Sequence, residues 1–186
     1  MLHDSQMTIR PEVPDDIDAV RDVHRNAFGG ERVPRLTDAL RAAPAPLLPV
    51  SLVAVADEQI VGHVMLSAGR LDAPHRLVDV LVLSPLGVLP EYQRRGIGSR
   101  LIEQALAAAD GTDAPLLFLE GSPAYYGGRG FQAASPAGFR KPSLRIPDAA
   151  FQVRMLPGYE PWMTGTLVYS EPFWALDCVG LRDPNG

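Results

Sequence analysis

The chain has 186 residues but one cysteine, Cys178, one lysine, Lys141, and only 7% aromatic residues. A single cysteine excludes an intramolecular disulfide framework. With no cluster of thiols and histidines, no metal site is expected. The single lysine follows Arg140, so the P-loop signature, which needs lysine directly after its last glycine, is absent. No apolar run approaches the roughly 18 residues of a membrane helix. The opening MLHDSQMTIRPE has neither the basic nor the apolar segment of a signal peptide. A cytoplasmic location without membrane contact is therefore expected. The net charge is −5 and the pI about 5.3, so the broad basic face of a nucleic-acid binder is not expected.

What is present suffices for a core. Hydrophobic residues make up 46% and charged residues 21%, the balance of an ordinary globular domain. The expectation is one domain over residues 7–176, with 1–6 and 177–186 as terminal tails.

The pattern alternates strands and helices. MTIRPE reads as a first strand, and Pro14-Asp15-Asp16 as a helix start with acids in the first turn. Ile17, Val20, Val23, His24 and Ala27 follow at helical spacing until Gly29-Gly30. A second helix is predicted over 33–42, before an APAPLLP linker. Residues 51–57 and 60–71 read as a hairpin turning at Glu58-Gln59, and 77–88 as a long central strand. Pro85 interrupts that strand. Proline has no amide to donate to a sheet ladder, so the strand should bulge or part there. A helix is predicted over 99–109, with Leu101, Ile102, Ala105, Leu106 and Ala109 on one face. Buried strands are expected at 115–121, 151–156 and 164–170.

The stretch LGVLPEYQRRGIGSRL, residues 86–101, concentrates positive charge in an acidic chain. A strand, a glycine loop at Gly96-Ile97-Gly98 and a helix together build an anion site. The first helical amides lack acceptors, and the helix dipole favours negative charge. Glycine lets the backbone approach a ligand without an intervening Cβ. Arg94 and Arg95 can add charge-assisted bonds, and Ser99 can cap the helix or bond an oxygen of phosphate. A dinucleotide-binding fingerprint fits poorly. Its third glycine is Leu101 here, and the loop begins eight residues beyond Val88.

VLPEYQRRGIGSRLI resembles motif A of the Gcn5-related N-acetyltransferases, whose signature Q/R-x-x-G-x-G/A is met by Gln93-Arg94-Arg95-Gly96-Ile97-Gly98. AYYGGRGFQAA is similar to the family's tyrosine-bearing helix and Gly-Phe pair, and TIRPEVPDDIDAVRDVHRNAF to its first strand and helix. The late TGTLVYSEPFW and SPAYYGGRGF resemble the bacterial YhbS-like group of predicted acetyltransferases. The resemblance implies an α/β (α+β) fold with a mostly antiparallel mixed sheet, splayed between strands 4 and 5, and helices on both faces. It implies direct transfer of acetyl from acetyl-CoA to a primary amine of a small molecule or peptide, in a monomer or homodimer. Leu86, Gly87 and Val88 would contact the pantetheine through their backbone, and one of their amides would face the acetyl oxygen. Gln93 to Ser99 would hold the pyrophosphate. Tyr126, four residues before Gly130, would be the general acid, with Tyr125 as its neighbour and rival. The alternatives are a non-catalytic acyl-CoA-binding module and a dinucleotide-dependent oxidoreductase.

The base is open. The family's strand-4 glutamate position is Val82 here. Asp79, His63, Glu120 and a chain of waters are the candidates. Asp79 is out of phase with Val82 on a strand, and His63 also reads as a partly buried histidine bonded to nearby backbone. The family's asparagine before the tyrosine helix is absent from Gly121-Ser122-Pro123. Trp162, Phe173 and Trp174 read as core residues or as a wall for the acceptor, and Cys178 as packing.

Overall fold

A computed structural model describes residues 7–43, 47 and 49–182. The tail at 1–6, the end of the tail at 183–186 and most of the APAPLLP linker lie outside the described residues. Among the described residues there are five helices and nine strands. The strands are β1 (Thr8–Pro11), β2 (Val50–Ala56), β3 (Gln59–Asp72), β4 (Leu77–Val88), β5 (Leu116–Glu120), β6 (Gln132–Ala133), β7 (Phe139–Arg140), β8 (Phe151–Met155) and β9 (Gly165–Val168). The helices are α1 (Ile17–Phe28), α2 (Arg32–Ala42), α3 (Ile97–Asp110), α4 (Pro123–Tyr126) and α5 (Glu171–Ala175).

All nine strands join one sheet in the order β1-β2-β3-β4-β5-β8-β6, with β9 on the edge of β3 and β7 beyond it. Every pairing is antiparallel except β4–β5 and β7–β9. The β2–β3 hairpin turns at Asp57-Glu58, both with positive φ of 50° and 61°. That is the geometry that fits a twisted two-residue hairpin, and it falls one residue before the expected Glu58-Gln59. Helix α3 starts at Ile97, two residues earlier than predicted, because Gly96 takes the left-handed conformation at φ 80° and Gly98 is already helical. The short β6, β7 and α5 escaped the sequence pattern, since two to five residues hold too little of either period to register.

Pro85 has the consequence its chemistry requires. Between the β3–β4 pairs Leu66↔Leu83 and Val64↔Leu86, β4 carries one residue more than β3. Strand β5 pairs with β4 only at Leu81↔Leu117 and Val82↔Phe118. Beyond Val82 the two strands part, and β4 runs on to Val88 with β3 alone.

The sheet is covered on both faces. Leu101, Ile102 and Ala105 of α3 pack with Ala54, Val64, Leu66, Leu117 and Leu119. On the other face Leu36 and Leu40 of α2 pack with Met65, Val82, Phe118, Phe151, Leu167 and Phe173. Of the expected tail, residues 177–180 are instead packed down. Val179 is buried, and Gly180 donates its amide to Glu120 Oε1 at 3.0 Å. No helix among the described residues is long and apolar enough to cross a membrane.

One buried polar cluster ties five elements together. Glu12 follows β1, Ser51 and His63 lie on β2 and β3, His24 on α1 and Arg41 on α2. Arg41 Nη2 is 2.6 Å from Glu12 Oε1, and Ser51 donates its hydroxyl to Glu12 Oε2. His63 Nε2 lies 2.8 Å from Ser51 Oγ and 3.2 Å from Glu12 Oε2, and its Nδ1 is 2.7 Å from His24 Nε2. His63 is therefore fully buried and bonded to side chains, not to neighbouring backbone as its position on a strand suggested. Burial alone would raise the Glu12 carboxyl. Bonds from His63 and Ser51, with the charge of Arg41, overcome this and hold it at about 2. Burial, then the neighbouring His63, pushes His24 down to about 3. Burial also lowers His63.

These shifts share a sign. Each group binds its proton in the unfolded chain at a pH where the folded chain refuses it, so stability falls as pH falls. For His24 that window runs from its ordinary 6.5 down to about 3, and for Glu12 from 4.5 to about 2. Each group contributes at most about 1.4 kcal/mol per pH unit inside its window. The melting temperature should be level above pH 7 and decline steadily below 6.5. In His24→Gln, whose amide can still donate to His63, the decline between pH 6.5 and 4.5 should be shallower. A variant curve that overlays the wild type would remove His24 as a contributor.

Candidate functional site

The parting of β4 from β5 leaves ladder groups without a strand to bond. Leu89 donates its amide to Val61 O at 2.9 Å, so Leu89 and Val61 form a hydrogen-bonded antiparallel pair. Such pairs alternate along the ladder, and His63↔Gly87 is the next. The peptide groups of Gly87 are therefore turned toward β3, while those of Leu86 and Val88 face the parting. Of the three expected backbone contacts, geometry brings Leu86 and Val88 to the open edge and leaves Gly87 behind it. The Val88 carbonyl already accepts a bond from Gln93 Nε2 at 3.0 Å, which folds the arginine loop back against the strand.

Gly87 has another constraint. A Cβ there would lie 2.7 Å from His24 Nδ1 and 3.4 Å from Phe28 Cε2. α1 thus presses on this strand from the face opposite α3, and only glycine permits the approach.

Beside the open edge is a cavity of about 420 Å³ lined by Val88, Tyr92, Gln93, Arg94, Gly96, Ile97, Gly98, Ser99, Tyr125 and Arg129. All the predicted loop residues except Arg95 line it. The Arg95 guanidinium instead lies over the Tyr92 ring, 5.0 Å from its centroid. The amides of Ile97, Gly98 and Ser99 open α3 and have no intrahelical acceptor. They add the positive end of a 14-residue helix. Gly98 is needed for space, because a Cβ would sit 2.5 Å from Tyr125 Oη.

Arg129 was not singled out from the sequence, and it closes the cavity. Its Nε and Nη2 donate to Ser99 Oγ at 3.1 and 2.9 Å, and its Nη1 to the Tyr125 carbonyl. The guanidinium lies 4.0 Å from the Tyr125 ring centroid. Among the described residues, neither Arg94, Arg95 nor Arg129 is paired with a carboxylate. Arg94 and Arg129 line the cavity beside free helix amides, with Arg95 at its rim, an arrangement that can take a polyanion such as a pyrophosphate. The signal available in the sequence was a third arginine close to the Gly-Phe pair, but only the fold brings it 30 residues back to Ser99.

The two tyrosines diverge. Tyr125 turns toward the α3 terminus. The Tyr126 ring packs edge-on to Phe131 at a centroid distance of 5.9 Å and against Gly121, where a Cβ would meet it at 2.5 Å. Burial, then the neighbouring Tyr125, pushes the Tyr126 phenol up to about 12. It keeps its proton at neutral pH and can give it up only to a developing strong base.

The base candidates separate as clearly. Both ring nitrogens of His63 are taken by the buried cluster. Asp79 faces Arg70 at 3.7 Å, near the far end of β4. Glu120 is the one beside the parting. It lies two residues past Phe118, the last β5 partner of β4, and on the same face as Phe118. Its Oε2 accepts from the Tyr169 hydroxyl at 3.2 Å and its Oε1 from the Gly180 amide. Burial raises its pKa against the opposing effect of those bonds and of Arg145.

The remaining aromatics are mostly structural. Phe173 is 1% exposed, and Trp162 stacks on His75 at 4.8 Å. Trp174 is partly exposed and bonds the Tyr169 carbonyl. The third position of a dinucleotide fingerprint, Leu101, is buried in α3 against the sheet, which leaves that reading without a phosphate turn.

A family model described as an acetyltransferase (GNAT) domain matches residues 8–134. An uncharacterized N-acetyltransferase of Escherichia coli, YjhQ, is 28% identical over 165 residues, covering 84% of this chain and 88% of that protein. The structure of the GNAT family N-acetyltransferase YhbS of Escherichia coli, in complex with CoA, superposes with a TM-score of 0.80 at 27% identity, covering 91% of this chain and 92% of that one. A GNAT family acetyltransferase of Brucella melitensis in complex with acetyl-CoA superposes with a TM-score of 0.71 at 31% identity, covering 91% and 99%.

If the cavity at α3 is a pyrophosphate site, Arg129→Gln should weaken binding of inorganic pyrophosphate about tenfold, the loss of roughly one charge-assisted bond. Calorimetry at low salt measures this. Arg70→Gln, remote from the cavity, should leave the affinity unchanged. Equal affinities in Arg129→Gln and wild type would remove Arg129 from the site.

Proposed function

This chain belongs to the GNAT acetyltransferase family, and from that premise we propose that it acetylates a primary amine of a small molecule or peptide at the parting of β4 and β5. It is an acetyl-CoA-dependent N-acetyltransferase. The single observation that carries the site assignment is the coincidence of two features. The edge of β4 at Leu86 and Val88 has no partner strand, and it leads directly into a cavity built around the α3 amides.

These residues fit the donor. An extended pantetheine carries amides, and an open strand edge bonds amides as a further strand would. The amides of Ile97 to Ser99, with Gln93, Arg94 and Arg129, suit the pyrophosphate. Arg95, directed at Tyr92, contributes charge at the rim rather than a direct contact. Leu86 and Val88 each offer an amide toward the parting, where one can stabilise charge developing on the acetyl oxygen. Gly87 acts by its lack of a side chain, which lets α1 press close behind the strand.

Transfer is direct. The amine nitrogen forms its bond to the acetyl carbon, the carbon–sulfur bond breaks, and the sulfur needs a proton to leave as a thiol. Tyr126 serves as the acid. A phenol held at about 12 stays protonated throughout the working range. Its ring is fixed by Gly121 and Phe131, so the donor geometry is set before the substrate arrives. No cysteine nucleophile is involved, since Cys178 is half-buried and burial raises its thiol.

Release of free CoA thiol from acetyl-CoA across a panel of primary amines tests the reading. Tyr126→Phe should lower kcat about 100-fold with little change in CoA affinity, and Tyr125→Phe should mainly weaken CoA binding. If Tyr125→Phe loses kcat and Tyr126→Phe does not, the acid is Tyr125.

A further inference from the structure

The edge of β3 that faces away from β4 holds a second gap. β2 pairs with β3 as far as Val50↔Leu66, and β9 takes over only at Arg70↔Val168. Among the described residues, no strand lies beside Ser67, Ala68 and Gly69 on that edge. The ladder phase decides which groups are left open. Glu12 donates its amide to Ser51 O at 3.0 Å, so Ser51 faces β1 and its neighbour Val50 faces β3. Val50 and Leu66 are thus a hydrogen-bonded pair. By the same alternation the amide and carbonyl of Ala68, two residues on, point into the gap.

A cavity of about 290 Å³ lies at this gap. Leu40 and Ala43 at the end of α2, Pro49, Val168 and Tyr169 form much of its wall, and Ser67 and Ser170 complete it. Met65 and Leu71 belong to the apolar layer under α2, and side chains alternate along a strand. Ser67 therefore points to that face, toward the cavity, and is only 3% exposed. Neither Ser67 Oγ nor Ser170 Oγ has a hydrogen-bond partner among the described residues, although both atoms are buried. Ser170 stands at the N-cap of α5, where serine ordinarily bonds a helix amide, yet its hydroxyl caps nothing. A buried hydroxyl without a partner is destabilising. Two of them at one cavity point to a ligand that satisfies both.

No charged group faces these hydroxyls from the cavity wall. Arg70 alternates to the face opposite Ser67, and its Nε lies 3.7 Å from Asp79 Oδ1. The Tyr169 hydroxyl is spent on Glu120. A charged ligand would be buried here without a counter-ion, so a neutral one fits.

We propose that this gap is a second binding site, for a compact neutral carboxamide with an aliphatic body. A carboxamide accepts from one serine hydroxyl and donates to the other, and its second N–H is left for the Ala68 carbonyl. The aliphatic part packs among Leu40, Pro49 and Val168. The strands β3 and β4 separate this site from the parting of β4 and β5, so it stands without the acetyl-transfer reading.

The test is calorimetric titration of hexanamide into the full chain, with and without saturating CoA. Hexanoate and hexylammonium are the charged controls. Hexanamide should bind with a Kd of about 1 mM or below, equally with and without CoA. The charged analogues should bind at least about tenfold more weakly. Ser67→Ala and Ser170→Ala should each weaken hexanamide about fivefold, the loss of one neutral hydrogen bond. Without ligand, Ser67→Ala should melt no lower than wild type, since it removes an unpartnered hydroxyl. Lost binding in that variant is then not lost folding. No binding in wild type, with the hydroxyls holding water only, overturns the proposal. So does equal affinity in both serine variants, or hexanoate bound as tightly as hexanamide. A lower melting point for Ser67→Ala would make its hydroxyl structural, and an affinity that falls with CoA would place the probe at the parting. Either result also overturns it.

Discussion

A missing strand partner governs this molecule. β4 is bonded on both edges only as far as Val82, and the proposed site lies beyond that point. An unpaired edge inside a sheet is costly, because buried amides and carbonyls need partners. Here the extra residue at Pro85 makes the parting local, and the open stretch is short. The bonds that β4 does not make to β5 remain available to a ligand that carries amides of its own.

The parting also sorts the chemistry by face. On one face the α3 dipole, Arg94 and Arg129 concentrate positive charge, and Tyr126 is held protonated. On the other, Glu120 is buried among β9 and the C-terminal residues. Low solvent exposure pushes both groups upward in pKa, yet the consequences differ. A phenol raised to about 12 is a better-kept acid, whereas a carboxyl raised by burial becomes a stronger base than one in water.

Much of this was legible in the chain. Pro85 in an apolar run announced the break, because proline's missing amide is a local fact. Gly96 announced a helix start for the same kind of reason, although the helix began two residues earlier than its glycines suggested. Arg129 was not legible, since its meaning depends on a contact with Ser99 that no local rule supplies. The packed segment at 177–180 was also hidden. Its anchor is a backbone amide at Gly180, and backbone donors leave no trace in residue type. Gly87 looked like a ligand contact by its place in the motif, but the hydrogen-bond phase of β3 turns its peptide groups away.

The buried cluster at Glu12 explains why that phase is kept. Glu12, Ser51 and His63 sit on three adjacent strand segments, and a one-residue slip of β3 would move His63 to the α3 face. Such a slip would leave the Glu12 carboxylate and Arg41 without their partner in a buried setting, a loss of several kcal/mol by general experience with broken buried pairs. The proton order in the cluster follows from Glu12 being ionised. His63 Nε2 donates toward it, His63 Nδ1 then accepts from His24 Nε2, and His24 Nδ1 is left bare against Gly87. A polar network that runs from the end of β1 to β3 therefore fixes which peptide groups of β4 face the parting. Its conspicuous histidine spends both ring nitrogens on that register.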